Sequence, residues 1–426
     1  MEKLAVDGGM PVRTEPFPSN LLGVTMYDNE ELAELTDVIV NKAPFRFYGY
    51  GPGNPCKTEM FERQAREYIG TKFALAVSSG SGALGCAAAA LGVGPGDEVI
   101  MPAFGWFSDF SAVADTGALP VFADIDETLS LDPDDFKRKI TKNTKAAIVI
   151  DFQGCPAKMD EIMSVANERG IVIIEDIAQA FGGEYKSKKL GSFGHIAVAS
   201  FQINKLLCCG EGGMVFTDDE RCFARAARYH DVSILRPLFA EQIQDKTLLS
   251  NELAFSGNQY RMSELSGAVM LAQMRKVNDI LAACRKSHAA IRERFKDNPH
   301  FTVRWVEGDC GVSVFMLFAA PAEAKRFQEC LAAEGVPVGP KSACRNIMDE
   351  YPIKTKAMSN AGMPPFGKGF NGEFTDYARL GAGFKTNEII SRYAAVSIGP
   401  QYSERDIADI TAAIDKVDKC LYKGGQ

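Results

Sequence analysis

Short apolar segments recur along the chain from about residue 70 to residue 220, separated by glycine, proline or acidic residues. Longer stretches rich in alanine or charged residues lie between them. Most of the apolar segments are continuous instead of alternating, which is typical of strands covered by helices on both faces. This rhythm predicts a wound α/β sheet. Its predicted strands lie at 73–77, 98–102, 119–124, 146–151, 171–176, 196–201 and 213–218.

Helical composition appears between these strands and on both sides of them. Residues 81–92 and 159–170 each end at a glycine that can adopt the left-handed cap. A proline-rich arm precedes an amphipathic helix at 29–42. Residues 261–295 are predicted to form one or two long helices.

The rhythm changes after about residue 300, where a strand at 312–320 and helices at 321–334 and 404–421 are predicted. Residues 357–376, rich in glycine and proline, are expected to form a surface or active-site loop. We therefore predict a three-layer α/β/α domain over residues 1–290, with a mostly parallel seven-stranded sheet. A smaller α+β domain is predicted over residues 291–426.

Composition narrows the class of protein. The 426 residues are 46% apolar and 24% charged, which suits a large buried core and excludes a fibrous or disordered chain. The formal net charge of −8, without a basic patch, argues against nucleic acid as a partner. The chain starts without a signal-peptide pattern and has no apolar run of the length of a membrane span, so a soluble, cytoplasmic protein is expected. Eleven cysteines and four histidines without metal-ligand spacing predict reduced thiols and no metal site.

Small residues at 79–82 join the first predicted strand to an alanine-rich helix. Backbone N–H groups at that helix start, aided by the helix dipole, can bind an anion such as phosphate. Strand-to-helix turns need glycine and serine for their geometry in any case, so the segment alone does not establish phosphate binding. It is not a P-loop, since no Gly-Lys-Ser/Thr follows, and it lacks the GxGxxG spacing of a dinucleotide site.

Glu175 and Asp176 end a predicted strand that is expected to be buried on both faces. An ionised carboxylate there needs a cation, backbone N–H groups or the protonated nitrogen of a ligand. Asp176 also precedes the sequence IAQA and would be a good helix N-cap. Both interpretations of Asp176, cap and ligand contact, stay open at this level.

Lys205 follows the strand predicted at 196–201 and precedes a glycine-rich turn. A lysine in an apolar setting loses its charge readily, as an imine-forming amine requires, although lysines more often occupy surface loops. The chain thus has, in order, an anion-binding helix start, a carboxylate and a lysine at strand ends of one sheet. Pyridoxal phosphate (PLP) requires all three, for its phosphate, its pyridine nitrogen and its Schiff base. Trp106 supplies a flat ring for the face of the cofactor, with simple core packing as the alternative.

Longer motifs extend this pattern over most of the chain. They are FERQAREYIGTKFALAVSSGSGAL, GVGPGDEVIMPAF, GALPVFADID, IEDIAQAFGG, SFQINKLLCCGEGGMVFTDD and GNQYRMSELSGAVMLAQ. In these motifs the chain resembles the PLP-dependent sugar aminotransferases of the DegT/StrS type, within the aspartate aminotransferase superfamily of fold type I. The resemblance fades after about residue 300, where substrate-specific segments are expected.

The resemblance implies a role for each matching residue. Lys205 would form the covalent link to the cofactor, Asp176 would pair with the pyridine nitrogen, and Trp106 would stack on the ring. Gln179 would lie near the phenolic oxygen of the cofactor. The phosphate contacts would come from Gly80, Ser81 and Ser200, and, from the neighbouring subunit of an obligatory homodimer, from Gln259 in a segment with Tyr260 and Arg261.

Three positions depart from the usual family sequence: Ser81 replaces threonine, Gln259 replaces asparagine and Phe181 replaces histidine. The first keeps the hydroxyl, the second keeps an amide of different reach, and the third is expected to alter the substrate pocket. Lys205 stands where the 3-deoxygenating branch of the family has histidine, so this chain is expected to transaminate.

The resemblance therefore implies ping-pong transamination with L-glutamate or L-glutamine as the amino donor. The expected acceptor is a keto or aldehyde sugar or a keto-cyclitol, in amino-sugar or aminocyclitol biosynthesis, because LAVDGGMPVRT and residues 45–54 look like that branch. Three alternatives stay open. They are a nucleotide-linked 4-keto sugar as acceptor, a PLP-binding regulatory protein without turnover, and a nicotinamide-dependent enzyme, against which the missing GxGxxG argues.

Overall fold

The computed structural model describes residues 3–47, 56–339, 345–359, 362–363, 365–367 and 384–422. Most of the segment 45–54 and much of the predicted loop 357–376 lie outside these residues. In chain order, the strands are β1 (Phe73–Val77), β2 (Glu98–Pro102), β3 (Phe104–Gly105), β4 (Leu119–Ala123), β5 (Thr144–Ile150), β6 (Val172–Asp176), β7 (Glu184–Tyr185), β8 (Lys188–Lys189), β9 (Ile196–Ser200), β10 (Gly213–Thr217), β11 (Phe301–Val303), β12 (Ser313–Phe318), β13 (Arg345–Asn346) and β14 (Tyr393–Ser397).

A seven-stranded sheet forms the centre of the molecule, in the order β1-β10-β9-β6-β5-β2-β4. Neighbouring strands from β9 to β4 pair in parallel, and β10 runs antiparallel to both β9 and β1. The seven predicted strands are the seven members of this sheet, with ends that differ by at most two residues. The prediction of a mostly parallel seven-stranded sheet is therefore confirmed.

The helices agree with the predicted pattern. In chain order they are α1 (Asn29–Val40), α2 (Lys57–Ile69), α3 (Gly80–Ala90), α4 (Phe107–Ala114), α5 (Pro133–Lys139), α6 (Met159–Arg169), α7 (Glu220–His230), α8 (Pro237–Ala240), α9 (Glu264–Phe295), α10 (Pro321–Ala333), α11 (Tyr351–Lys354), α12 (Phe384–Ser391) and α13 (Glu404–Tyr422). The segment 261–295 forms one long helix, α9, which begins after the N-cap Ser263. Gly170 caps α6 in the left-handed conformation, as its sequence predicts.

Helices cover both faces of the central sheet. On one face of the sheet, which carries Leu75 of β1, α3 and α7 pack over β1 and α4 packs over β2 and β4. On the other face, Ala74 and Ala76 of the same strand join the core formed with α2 and α9. The alternation follows from the two-residue period of a strand, which turns successive side chains to opposite faces. Three layers result.

The C-terminal part of the chain forms a smaller antiparallel sheet in the order β11-β12-β14, which packs against α10. The predicted domain boundary at residue 290 falls within α9. That helix contacts α1 and α2 with one part of its length and α13 and β12 with another. The division of the chain into domains at this residue stays a prediction.

Other predictions concern membranes, metals and thiols. None of the helices in the described ranges combines the length and the apolar character needed to cross a membrane. The same part of the chain holds no cluster of three or more His, Cys, Asp or Glu side chains that could bind a metal ion. Its cysteines are free thiols, most of them buried.

Candidate active site

A cavity of about 720 Å³ opens at the carboxyl ends of the parallel strands β5, β6 and β9. In open α/β sheets, ligands bind at this edge. Asn20 of the N-terminal arm and Ser313 of the C-terminal sheet also line the cavity, so three separate parts of the chain meet there. The predicted site residues that line it are Gly80, Ser81, Trp106, Asp176, Gln179, Ser200 and Lys205.

The N-terminus of α3 faces this cavity. Ser79 is its N-cap, and the side-chain oxygen of Ser79 accepts the N–H of Gly82 at 3.0 Å. The first backbone bond of the helix runs from Ala83 N to Ser79 O, so the N–H groups of Gly80 and Ser81 precede it. A Cβ atom on Gly80 would lie 2.7 Å from the Cβ of Ser200, closer than side chains pack. The small residues therefore let the end of β9 approach a helix start that can hold a phosphate.

Asp176, at the end of β6, is the carboxylate that was predicted to contact a ligand. Asp176 lines the cavity, and its Oδ1 accepts the N–H of Ala178 at 2.7 Å in a short turn, where no α-helix begins. The helix-cap interpretation is therefore wrong in detail, although the side chain does accept a backbone N–H. Burial raises the pKa of Asp176, and the N–H of Ala178 and the charge of Lys205 oppose that rise.

Asp109, which the sequence interpretation did not single out, lies beside Asp176. It belongs to the first turn of α4, is 1% exposed and lines the same cavity. Burial raises the pKa of Asp109 well above its ordinary value, and repulsion by Asp176 adds to the effect. Two buried carboxyl groups thus face the cavity side by side.

Lys205 and Trp106 line the cavity from the loop after β9 and from the N-cap of α4. The backbone oxygen of Lys205 accepts the N–H of Gly23 at 3.2 Å, which joins its loop to the N-terminal arm. Trp106 is 51% exposed. Its ring is therefore available at the cavity wall, and the alternative of simple core packing is wrong.

Gln179 is oriented by a chain of polar contacts. Its Oε1 accepts the backbone N–H of Gln153 at 3.3 Å and an N–H of the side-chain Nε2 of Gln153 at 3.0 Å, so the amide oxygen of Gln179 is turned toward Gln153. Gln153 has a φ of 50°, a left-handed conformation. The buried guanidinium of Arg304 donates to the backbone oxygens of Phe152 and Gln153, and the hydroxyl of Ser313 donates to Gln153 Oε1.

Gln259 and Phe181 lie outside the cavity. Gln259 is exposed, pairs by a β-bridge with Asp231 and does not line the cavity of its own chain. Phe181 packs in the core against Phe201 and Tyr68. Phe181 is not among the residues that line the cavity, and its effect on the substrate pocket stays a prediction.

The cavity has the chemical groups that PLP needs. A helix start with small residues suits a phosphate, a buried carboxylate suits a protonated ring nitrogen, and a lysine amine suits a covalent link to an aldehyde. All three groups line the same cavity. The residues present therefore fit this cofactor.

Asp109, Gln153 and Ser313 are the site residues that the sequence interpretation missed. Asp109 could have been noticed in the sequence. It lies four residues before Val113 and so on the same buried face of α4, where acidic residues are rare. The sequence gives no indication of Gln153 or Ser313, because polar residues near strand ends are common. Their contact joins positions 160 residues apart.

Comparison with known proteins gives a consistent result. Residues 47–340 match the DegT/DnrJ/EryC1/StrS aminotransferase family. The chain is 30% identical over 420 residues to an L-glutamine:2-deoxy-scyllo-inosose aminotransferase of Streptomyces kanamyceticus, which covers 96% of this chain and 95% of that one. It is 35% identical over 231 residues to a GDP-perosamine synthase of Escherichia coli O157:H7, a match that spans 54% of this chain and only 60% of the relative.

A solved structure shares the fold over nearly the whole chain. It is a GDP-4-keto-6-deoxymannose-3-dehydratase that holds a trapped adduct of PLP and glutamate. The TM-score is 0.72 at 22% sequence identity, over 92% of this chain and 98% of that one. This likeness concerns the fold.

Proposed function

Since the chain belongs to the DegT/DnrJ/EryC1/StrS aminotransferase family, whose members are PLP-dependent, we propose that it moves an amino group from L-glutamine or L-glutamate to a keto or aldehyde group of a sugar or cyclitol. The observation that carries the proposal is the single cavity shared by Lys205, Asp176 and the start of α3. These groups would hold PLP at its aldehyde, its ring nitrogen and its phosphate.

PLP, when bound, supplies a ring that withdraws electrons from the α-carbon of the amino donor. The chain supplies the rest. Asp176 would hold the proton on the ring nitrogen, Gln179 would donate its amide N–H to the phenolic oxygen, and Trp106 would pack on the ring face. Once the amino donor has displaced Lys205 from the cofactor, the freed amine of Lys205 would take the proton from the donor's α-carbon as general base. As general acid it would then deliver this proton to C4′, the former aldehyde carbon of the cofactor.

The polar lining of the cavity favours an acceptor without a nucleotide. Amide and hydroxyl groups of Asn20, Gln153, Gln202 and Ser313 line it, and among its described lining residues Lys205 is the only cation. Uncharged groups of this kind match the hydroxyls of a sugar or cyclitol, whereas a diphosphate is usually bound by arginine or lysine. The whole-length relative that acts on 2-deoxy-scyllo-inosose supports a keto-cyclitol and L-glutamine.

A nucleotide-linked 4-keto sugar is the second candidate acceptor, because the GDP-perosamine synthase shares 35% identity over part of the chain. Both acceptor classes are to be offered to the purified enzyme with L-glutamine or L-glutamate, and amine products read by mass. We expect the enzyme to aminate the keto-cyclitol with a catalytic efficiency at least about tenfold higher than that for the nucleotide-linked sugar. Preferential amination of the nucleotide-linked sugar would reverse the assignment.

One measurement in solution would exclude a regulatory protein that binds PLP without turnover. Addition of L-glutamine or L-glutamate alone is expected to convert the bound cofactor to its amine form, which shifts its absorbance to shorter wavelength. A spectrum that does not respond to either donor would favour the regulatory alternative.

The proposal includes a homodimer in a reducing, cytoplasmic compartment. Gln259 is exposed and lies outside its own cavity, as expected for a residue that reaches the site of a second copy. Free cysteines throughout the described residues are typical of a reducing compartment. Light scattering is expected to give twice the mass of one chain.

The decisive experiment replaces Lys205 by alanine. The purified Lys205→Ala protein is expected to lack turnover and to yield no cofactor-labelled peptide after borohydride reduction, whereas the wild-type protein yields one that contains residue 205. Lys286→Ala is the matched control, because Lys286 is exposed and forms an ion pair with the exposed Glu404 at 3.3 Å. A labelled peptide elsewhere in the chain, or turnover by Lys205→Ala, would contradict the proposed function.

A further inference from the structure

The carboxyl group of Asp109 has no visible partner that could donate to it. It is 1% exposed, and within the described residues neither of its oxygens receives a hydrogen bond from an N–H or O–H group. The carboxyl of Asp176 lines the same cavity and repels that of Asp109, and it has no proton to donate when ionised. A buried, ionised carboxylate without a donor is costly.

The two carboxyl groups differ in what surrounds them. Asp176 accepts the N–H of Ala178, and the charge of Lys205 faces it from the loop after β9. Lys205 also faces Asp109, while Asp151 at the end of β5 adds negative potential near Asp176. With one proton between the pair, the negative charge is more stable on Asp176, which has the backbone donor. Asp109 is then the acid that donates.

We propose that Asp109 is a positioning residue that keeps its proton and donates a hydrogen bond from it to Asp176. The pair then carries one negative charge, on Asp176, where it faces the ring nitrogen of the cofactor. This inference rests on the proposed function, since only that function assigns Asp176 to the ring nitrogen.

The arrangement has a chemical consequence for the proton between Asp176 and the ring nitrogen. A donor on the far side of a carboxylate lowers its affinity for a further proton. Asp176 would therefore leave the proton on the ring nitrogen. Burial of Asp109, followed by repulsion from Asp176, raises the pKa of Asp109 well above its ordinary value, which agrees with a retained proton.

The test compares the holoenzymes of the wild type, Asp109→Asn and Asp109→Leu. Asparagine keeps an N–H donor and has no charge at any pH, whereas leucine has a similar size and no donor. Each protein is loaded with PLP labelled at the ring nitrogen, and NMR reads whether that nitrogen carries a proton. Cofactor affinity is measured in parallel.

We expect the ring nitrogen of Asp109→Asn to keep the wild-type signal and its pH dependence from about pH 6 to about pH 9. In Asp109→Leu the signal is expected to move toward that of the unprotonated ring, with cofactor affinity reduced about tenfold or more.

Two results would overturn the inference. A changed signal in Asp109→Asn would mean that Asp109 is ionised in the wild type, and an unchanged signal in both variants would mean that it only fills space. Should Asp109→Leu fail to fold, the asparagine variant still decides, because a shifted ring-nitrogen signal refutes the retained proton and an unshifted one supports it. A wild-type protein that binds no PLP would instead refute the proposed function.

Discussion

Glu175 and Asp176 are adjacent on β6, and their carboxylates serve opposite sides of the sheet. Glu175 accepts three backbone N–H groups, from Gly191, Phe193 and Gly194, at 2.5 to 2.9 Å. Asp176 faces the cavity. The two-residue period of the strand separates them, so that one side chain anchors the loop 191–194 and the other is available to a ligand.

The first prediction uses this contrast. Asp176→Asn is expected to fold normally, keep the cofactor and lose at least about a hundredfold in the rate of the donor half-reaction, because the charge that holds the ring proton is gone. Glu175→Gln is expected to cost about 1–3 kcal/mol in the free energy of unfolding, since its amide N–H₂ group meets backbone donors. Stopped-flow absorbance and urea unfolding separate the two effects. An unimpaired half-reaction in Asp176→Asn would remove that residue from the mechanism.

The second prediction concerns the closeness of α3 and β9. In Gly80→Ala the new Cβ would lie 2.7 Å from the Cβ of Ser200, so the helix start must move away from the phosphate position. We expect cofactor affinity to fall about tenfold, which corresponds to about 1.4 kcal/mol. Fluorescence titration with PLP measures the change. Gly94→Ala is the control, because a Cβ at Gly94 would have open space around it; an equal loss of affinity there would refute the steric explanation.

The third prediction separates a ligand-facing ring from a core ring. Trp106 is 51% exposed, so Trp106→Ala is expected to lower the free energy of unfolding of the apoprotein by less than about 1 kcal/mol. Its cofactor affinity is expected to fall roughly threefold to tenfold, the range of an aromatic stack. Phe104 is 1% exposed, and Phe104→Ala is expected to cost about 3–5 kcal/mol. A stability loss for Trp106→Ala as large as that for Phe104→Ala would assign the tryptophan to the core.

The fourth prediction is a pH dependence of stability. Burial, with repulsion by Glu175, raises the pKa of Asp151 well above its ordinary value, and its Oδ1 accepts the N–H of Ala157 at 2.8 Å. The folded state therefore keeps a proton that the unfolded state releases above about pH 4. Stability falls as pH rises through this window, by about 1.4 kcal/mol per pH unit for one proton, until the folded pKa is reached.

Asp151→Asn has no such proton and is the matched variant. Relative to the wild type, its free energy of unfolding is expected to rise with pH between about pH 5 and the folded pKa of Asp151. Denaturant unfolding at several pH values measures the difference. A difference that stays constant with pH would show that Asp151 binds the same number of protons in both states.

Much of the fold and part of the site follow from local sequence. The seven strands, the long helix α9 and the cap at Gly170 were all predictable, because burial on both faces of a sheet, helical periodicity and the left-handed preference of glycine leave marks within a few residues. The motif residues Gly80, Asp176 and Lys205 also follow, since each stands at the end of a recognisable strand or the start of a helix. The resemblance to a family then assigned them to one cofactor.

Local patterns do not contain the order of strands in the sheet. That order places β6 beside β9 and so brings Asp176 and Lys205 to one cavity. The same holds for the position of Asp109 near Asp176, for the hydrogen bond from Ser313 to Gln153, and for the position of Phe181 in the core. The local elements are decided by periodicity and burial along the chain; which side chains meet is decided by long-range packing, because a polar residue acquires its chemistry from neighbours that are distant in sequence.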